Sequence, residues 1–241
     1  MFAKIYEKQL MQPNILGVFF NPFYFDRMGL YKNIKRLGKE ITGKTLDIGC
    51  GKKPYENLFA SSEYIGMDME TTGHNHRNSK IDVFYDGKTF PFSDNAFDSV
   101  VTNQVLEHVF NPSQFLSEIN RVLKSGGKML ITVPFVWDEH EQPYDFGRYT
   151  SFGIKDILEK HGFQILEQIK TVNDLGAIFQ LLNMYYYKTI VRKNVFSKVF
   201  AMIIIVPTNI VGVIISAIFP KNDDLYLGNV VLSEKVKRTI I

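Results

Sequence analysis

The sequence predicts an α/β fold: a doubly wound, mostly parallel sheet with helices on both faces. Three observations predict it. From residue 44 onward, short apolar runs alternate with segments of helical pattern, as strands joined by crossover helices do. The runs are continuously apolar, the pattern of strands buried on both faces. The first run ends in a glycine turn, Gly49-Cys50-Gly51, and an acidic residue follows about 20 positions on, at the end of the second run.

Residues 1–43 precede this core and read as an N-terminal helical cap with an aromatic cluster, Phe19, Phe20, Phe23, Tyr24 and Phe25. Lys44–Gly49 is the first strand. Pro54–Phe59 opens a helix, with proline in its tolerated first turn. Tyr64–Met67, ending at Asp68, is the second strand, Ile81–Tyr85 the third and Asp98–Asn103 the fourth. Pro112–Leu123 is an amphipathic helix. Ser125-Gly126-Gly127 is a turn into the fifth strand, Lys128–Val133. Ser151–His161 is a helix closed by Gly162. Phe163–Lys170 is the sixth strand and Tyr226–Ser233 the last. Residues 44–241 then form the main domain, with an apolar helical insert at 174–220 before the last strand.

Composition sets the outer limits. With 45% hydrophobic, 22% charged and 14% aromatic residues, the chain has material for a core and is neither disordered nor fibrous. The single cysteine, Cys50, excludes an intrachain disulfide framework and a cysteine-rich metal site. No metal is expected. A net charge of +3 does not suggest a nucleic-acid partner. The charge is unevenly spread: eight Lys/Arg against three Asp/Glu in residues 1–45, thirteen against nineteen in 46–190, and seven against three in 191–241. The start is too polar for a signal peptide, so a cytoplasmic location is expected.

Leu46-Asp47-Ile48-Gly49-Cys50-Gly51 runs from strand into turn. Glycines let the backbone pass close to a ligand, and a following helix N-terminus offers N–H groups. Asp68 is placed to take two ribose hydroxyls. Asp47, inside the strand, needs a partner if buried, and Asp86 is placed to accept from an adenine amino group. A dinucleotide fingerprint wants a third glycine or alanine where Pro54 stands. That disfavours NAD and suits a ligand with a methionine moiety, whose ammonium Asp47 can face.

LDIGCG, YIGMD, YDGKTFPFSDNAFDSV, QVLEHV and EINRVLKSGGKMLITVP, in that order, resemble the class I S-adenosylmethionine-dependent methyltransferases. The resemblance covers residues 40–170 and the last strand. It implies a Rossmann-like seven-stranded methyltransferase sheet with S-adenosylmethionine as cofactor. It places Asp47, Gly49 and Gly51 at the methionine end, with Cys50 a small filler in the same loop. Asp68 falls on the ribose, Met69 against adenine, Asp86 on the adenine amine, and Gln104 faces the cofactor after the fourth strand. The family often has a third glycine two positions after Gly51; here it is Lys53.

Methyl transfer to a hydroxyl needs alignment and proton removal. The groups that do this belong at the carboxyl ends of the fourth and fifth strands. Glu107-His108 follows the fourth strand, and 137–150, dense in carboxylates and aromatics, follows the fifth. His140 is the expected general base, with Asp145 or Glu141 orienting it or gripping a hydroxyl; His108 is the second candidate. Arg148 is expected to bind an anionic group and, with Glu141 and Tyr149, to contact the acceptor. The competing reading makes Asp145–Arg148 an ion pair bracing the loop, with Tyr149-Thr150 starting the next helix. HEQPYDFGRYT also resembles a segment of methyltransferases found with bacterial surface-polysaccharide synthesis. The expected activity is therefore O-methylation of a sugar or lipid-linked saccharide. Its rivals are methylation of an isoprenoid or quinone-like phenol, and a non-catalytic cofactor-binding scaffold at the membrane.

Val199–Pro220 has no charged side chain. Pro207-Thr208-Asn209 is expected to break it into two short halves. That favours a hairpin lying in one leaflet over a span, with Arg192, Lys193, Lys198 and Lys221 beside it. Peripheral contact through 199–220 at the inner membrane face, a buried hairpin or oligomer interface, and an apolar lid over a lipid-like acceptor are the three readings.

Overall fold

A computed structural model describes residues 2–70, 79–192 and 194–236. The chain divides into two compact units. One comprises Met1–Lys32, Val136–Asp138 and Lys170–Leu227; the other comprises Asn33–Phe135, Glu139–Ile169 and Gly228–Ile241.

The larger unit is built on the sheet. Its strands are β1 (Thr42–Ile48), β2 (Ala60–Met69), β3 (Val83–Tyr85), β4 (Phe97–Asn103), β5 (Leu123–Pro134), β6 (Phe163–Thr171) and β7 (Gly228–Lys235). The order across the sheet is β3-β2-β1-β4-β5-β7-β6. β1 pairs in parallel with β2 and β4, β2 with β3, and β4 with β5, while β7 runs antiparallel to β5. The doubly wound seven-stranded sheet is the one the sequence predicts. Leu46 and Ile48, Val100, and Met129, Ile131 and Val133 are fully buried in it. Each such side chain contributes ~1.5–3 kcal/mol by leaving water.

Helices α3 (Pro112–Val122) and α4 (Ser151–Lys160) cover the sheet. Asn111 caps α3 by accepting from Gln114 N, and Pro112 fills the first turn. The helix buries Phe115, Leu116, Ile119 and Val122. Thr150 caps α4 by accepting from Gly153 N at 3.0 Å, and Gly162, at φ 80°, ends it.

Three expectations are corrected here. The helix expected at Pro54–Phe59 is only a 3-10 turn, Glu56–Leu58. The chain must return for β2 at Ala60, which already pairs with Thr42, so no room remains for an α-helix. β2 is also longer than Tyr64–Met67. Its first half, Ala60–Glu63, pairs with β1 through backbone bonds but carries polar residues that show no apolar run. Ser125-Gly126-Gly127 lies inside β5, with Gly126 at φ 75° and a register shift against β4.

The smaller unit contains α1 (Phe2–Met11), the start of α2 (Tyr24–Leu37), α5 (Gly176–Ile190) and α6 (Val195–Ile218). Here the expected hairpin is corrected: Pro207 sits inside one continuous 24-residue helix. Proline removes one helical hydrogen bond and usually costs about 3 kcal/mol. The helix survives because fixed contacts hold both sides of that point. Thr208 Oγ1 donates to the Ile204 carbonyl at 2.9 Å. Asn209, fully buried, donates through Nδ2 to the carbonyls of Val18 at 3.0 Å and Asn21 at 3.1 Å, and accepts from Asn183 Nδ2 at 2.7 Å. A Cβ on Gly212 would stand 2.6 Å from Phe25 Cζ, so only glycine allows that approach. Ala201, Ile205, Asn209 and Gly212 thus mark one seated face. Other positions stand in solvent, Phe196 at 88% and Ile203 at 64% exposure.

Candidate active site

β1 and β4 are neighbours, and the loops leaving their carboxyl ends meet. Gly49, at φ 70°, follows β1; a Cβ there would lie 2.3 Å from Val105 Cγ2, in the loop after β4. Glycine is therefore demanded twice, by conformation and by approach. Gly51, at φ 46°, faces open space: no atom lies within 4 Å of the place a Cβ would take. Lys53 also adopts a positive φ, 52°, at the position where the resembled family often has glycine. Its ammonium is buried against Asp82 at 2.5 Å, and Asp82 also accepts from Gly66 N at 2.7 Å. That ion pair holds the strained lysine in place.

Asp68, near the end of β2, accepts from Gly51 N at 3.2 Å and Met69 N at 2.9 Å. It ties the glycine loop to the second strand, and an ionised carboxylate has about four acceptor positions. Asp47 is buried and accepts from Tyr64 Oη at 2.7 Å. Burial raises its carboxyl to about 7, although the Tyr64 bond and the Lys53 charge oppose the shift. Burial, and then the negative Asp47 and Asp68, push the Cys50 thiol up, away from the thiolate form that a nucleophile needs. A cavity of about 310 Å³ brings Met69 and Asp86 together with Glu70, Phe84 and Tyr85. Asp86 is exposed and accepts from Lys88 N at 2.9 Å and Thr89 N at 3.0 Å. The side-chain amide of Gln104 donates to Thr132 Oγ1 at 3.1 Å.

This set fits a nucleoside bearing an amino acid. It offers an open glycine turn, a carboxylate for vicinal hydroxyls and a buried carboxylate for an ammonium group. Tyr64, Lys53 and Asp82 are parts of the site that sequence reading missed. Their partners lie 17 and 29 residues away, and no local motif announces such pairs.

The acceptor-side residues also converge. Glu107 and His108 sit in a 3-10 turn, Leu106–His108, after β4. The loop after β5 clamps onto it: Phe146 N and Gly147 N donate to the Glu107 carbonyl at 2.7 and 3.1 Å. His108 Nδ1 lies 2.7 Å from the Tyr144 carbonyl. The rings of His108 and His140 are 4.7 Å apart, edge to face. Asp145 Oδ2 stands 3.3 Å from His140 Nδ1 and accepts from its backbone N at 3.0 Å.

Arg148 grips both oxygens of Asp145, at 2.5 and 2.7 Å, so the loop-bracing pair forms. Burial alone would raise the Asp145 carboxyl; the Arg148 hydrogen bonds outweigh it and hold the group at about 2. Glu141 approaches His108 Nε2 at 3.6 Å. Tyr149 packs on the core, and its carbonyl accepts from Asn229 Nδ2. Glu107, named in the sequence only as part of the cluster after the fourth strand, is completely buried, and burial raises its carboxyl to about 8.

Comparison with known proteins bears on the sheet and on the segment that carries the glycine turn. Residues 46–131 match the methyltransferase domain family. A probable S-adenosylmethionine-dependent methyltransferase of Mycolicibacterium smegmatis is 27% identical over 155 residues, 59% of this chain and 60% of that protein. The chain thus spans less than two thirds of that relative. Among solved structures, phosphoethanolamine N-methyltransferase 2 of Haemonchus contortus, in complex with S-adenosyl-L-methionine, gives a TM-score of 0.56 at 21% identity, covering 95% of this chain and 59% of that one. The cyclase SpnF gives 0.56 at 17% identity, covering 88% and 82%. The fold alone therefore does not fix a reaction. The matched segment runs from β1 into β5, and the seven-stranded sheet is the fold shared with those solved structures.

Proposed function

We propose that the protein transfers the methyl group of S-adenosylmethionine to an oxygen of a sugar or lipid-linked saccharide. One observation carries this reading: the glycine turn after β1 and the histidine–carboxylate cluster after β4 and β5 lie on loops that touch, through Gly49 and Val105. The bound cofactor supplies an activated methyl sulfonium. Asp47 holds its ammonium, Asp68 its ribose hydroxyls, and Met69 and Asp86 line the adenine side. His140, aligned by Asp145, takes the acceptor proton. Arg148 keeps Asp145 ionised and in register, a positioning role.

An exposed apolar face on α6 favours a lipid-linked acceptor and peripheral contact with a bilayer. Val199, Phe200, Ile203, Ile214 and Ile218 are more than half exposed there. Lys198 lies in the first turn of the helix and Arg192 and Lys221 flank it, the charge an anionic surface attracts; Lys193 lies outside the described residues. Val195–Ile218 is long and apolar enough to cross a membrane. Its middle is seated through Asn209 on backbone carbonyls of Val18 and Asn21, which suits a helix lying on the surface rather than spanning.

The test is product analysis. The protein is incubated with methyl-deuterated cofactor and cell-envelope extract, and labelled products are identified by mass. Label on a saccharide hydroxyl is expected. Label on a prenylated phenol would transfer the reading to the quinone-like acceptor. No labelled product, with cofactor binding intact, would leave a scaffold.

A further inference from the structure

We propose that Glu107, His108 and His140 form a site for one divalent first-row transition cation. One ligand atom from each of the three lies within 4.8 Å of the others. That is little more than the ~4 Å spanned by two metal–ligand bonds of ordinary length, so a small closure around an ion completes the set.

The second observation is independent of this proximity. Glu107 is completely buried, and neither of its carboxylate oxygens finds a hydrogen-bond partner in another residue; the same holds for His108 Nε2. A buried side-chain polar group without a partner is an exception among folded proteins, and an ion at the site is one account of it. This carboxylate stands 3.9 Å from His108 Nε2, beyond hydrogen-bond reach.

The outer contacts are those that orient ligating imidazoles. His108 Nδ1 meets the Tyr144 carbonyl at 2.7 Å. In the neutral imidazole that contact puts the proton on Nδ1 and leaves the lone pair at Nε2 for an ion. His140 Nδ1 faces Asp145 at 3.3 Å, and Asp145 is itself fixed by Arg148. Backbone carbonyls and carboxylates behind a histidine are typical second partners of metal sites. Glu141, 3.6 Å from His108 Nε2, stands at the rim.

Two imidazoles and a carboxylate suit Zn²⁺, Mn²⁺, Fe²⁺ or Co²⁺ rather than Mg²⁺ or Ca²⁺, which prefer all-oxygen sets. Three protein ligands leave coordination positions open. The site rests on the acceptor-side reading above and refines it in one detail: a bound ion would stand between His140 and the acceptor oxygen, and the hydroxyl proton would pass to water rather than to His140. An ion-bound hydroxyl is more acidic. The open positions also favour an acceptor with two neighbouring oxygens, such as a vicinal diol.

The test uses the full, tag-free chain stripped with chelator and titrated with Co²⁺, read by visible d–d absorption and calorimetry. One ion per chain is expected, displaced by Zn²⁺. Glu107→Gln and His108→Ala should each weaken binding at least about tenfold, the lower bound set by second-partner losses. His161→Ala, whose ring lies on the Ile157 carbonyl, should not. S-adenosylhomocysteine binding, measured in every variant, shows that each is folded. Absence of Co²⁺ binding in a chain that binds S-adenosylhomocysteine, or binding undiminished in Glu107→Gln and His108→Ala, overturns the metal site. Either result leaves the direct role of His140 standing. Loss of S-adenosylhomocysteine binding by the wild-type chain would instead sink the methyltransferase reading.

Discussion

Asp68 shows how one carboxylate can join a loop to a ligand. It already holds Gly51 N and Met69 N, and the proposed ribose bonds use its remaining lone pairs. Charge-assisted hydrogen bonds are worth ~1.5–3 kcal/mol. Asp68→Ala should therefore weaken S-adenosylmethionine by roughly tenfold or more, and calorimetry giving the wild-type affinity would remove Asp68 from the site. His140→Ala tests the other half. It should slow methylation by about 10²–10⁴-fold, the usual range for a lost acid–base group, with cofactor affinity nearly intact. A wild-type rate would shift the role to His108. Single residues were legible where the motif is local: Gly49, Gly51 and Asp68 mark strand ends. Tyr64 on Asp47, Lys53 on Asp82, and the isolation of Glu107 were not. Each depends on which strands become neighbours, and pattern along one chain does not carry that.

Elements were legible in proportion to how their pattern reports burial. β1, β4 and β5 sit in the middle of the sheet and read as apolar runs, whereas the polar first half of β2 pairs through its backbone and left no trace. α6 was misread at Pro207 for a different reason. Local propensity favours a break there, and the contacts that override it, Asn209 on Val18 and Asn21 and Gly212 under Phe25, come from distant segments. The continuous helix sharpens the membrane test. Replacing Val199, Ile203, Ile214 and Ile218, all more than half exposed, by serine should abolish flotation with anionic liposomes and leave the melting temperature within a few degrees. Exposed substitutions usually change stability by no more than ~0.5 kcal/mol. Each basic residue near such a surface adds about 1 kcal/mol, screened by salt, so wild-type flotation should weaken as salt rises. Wild-type protein that stays soluble with anionic vesicles at low salt would refute the lipid surface.

At the scale of the whole molecule, the buried Asp47 couples folding, pH and cofactor. Burial raises its carboxyl from the usual 3.8 to about 7. Between those values the native state binds more protons than the unfolded chain, so stability contributed by this site falls as pH rises from about 4 to about 7, and is level above. Asp47→Asn removes the ionisation. In cofactor-free protein, the stability of the variant relative to wild type should rise by up to a few kcal/mol across that window, since each tenfold change in proton affinity between the two states is worth ~1.4 kcal/mol. Urea melts at pH 5 and pH 8 measure it; a difference that does not change with pH would show that Asp47 is ionised throughout. The same buried carboxylate is proposed to meet the cofactor's ammonium, and that partner favours its charged form. Cofactor binding near pH 6 should then release a proton, and affinity should rise from pH 6 to pH 8. Calorimetry in buffers of different ionisation enthalpy reads the proton directly. Wild-type binding without proton release, or the same release in Asp47→Asn, would place the ammonium elsewhere.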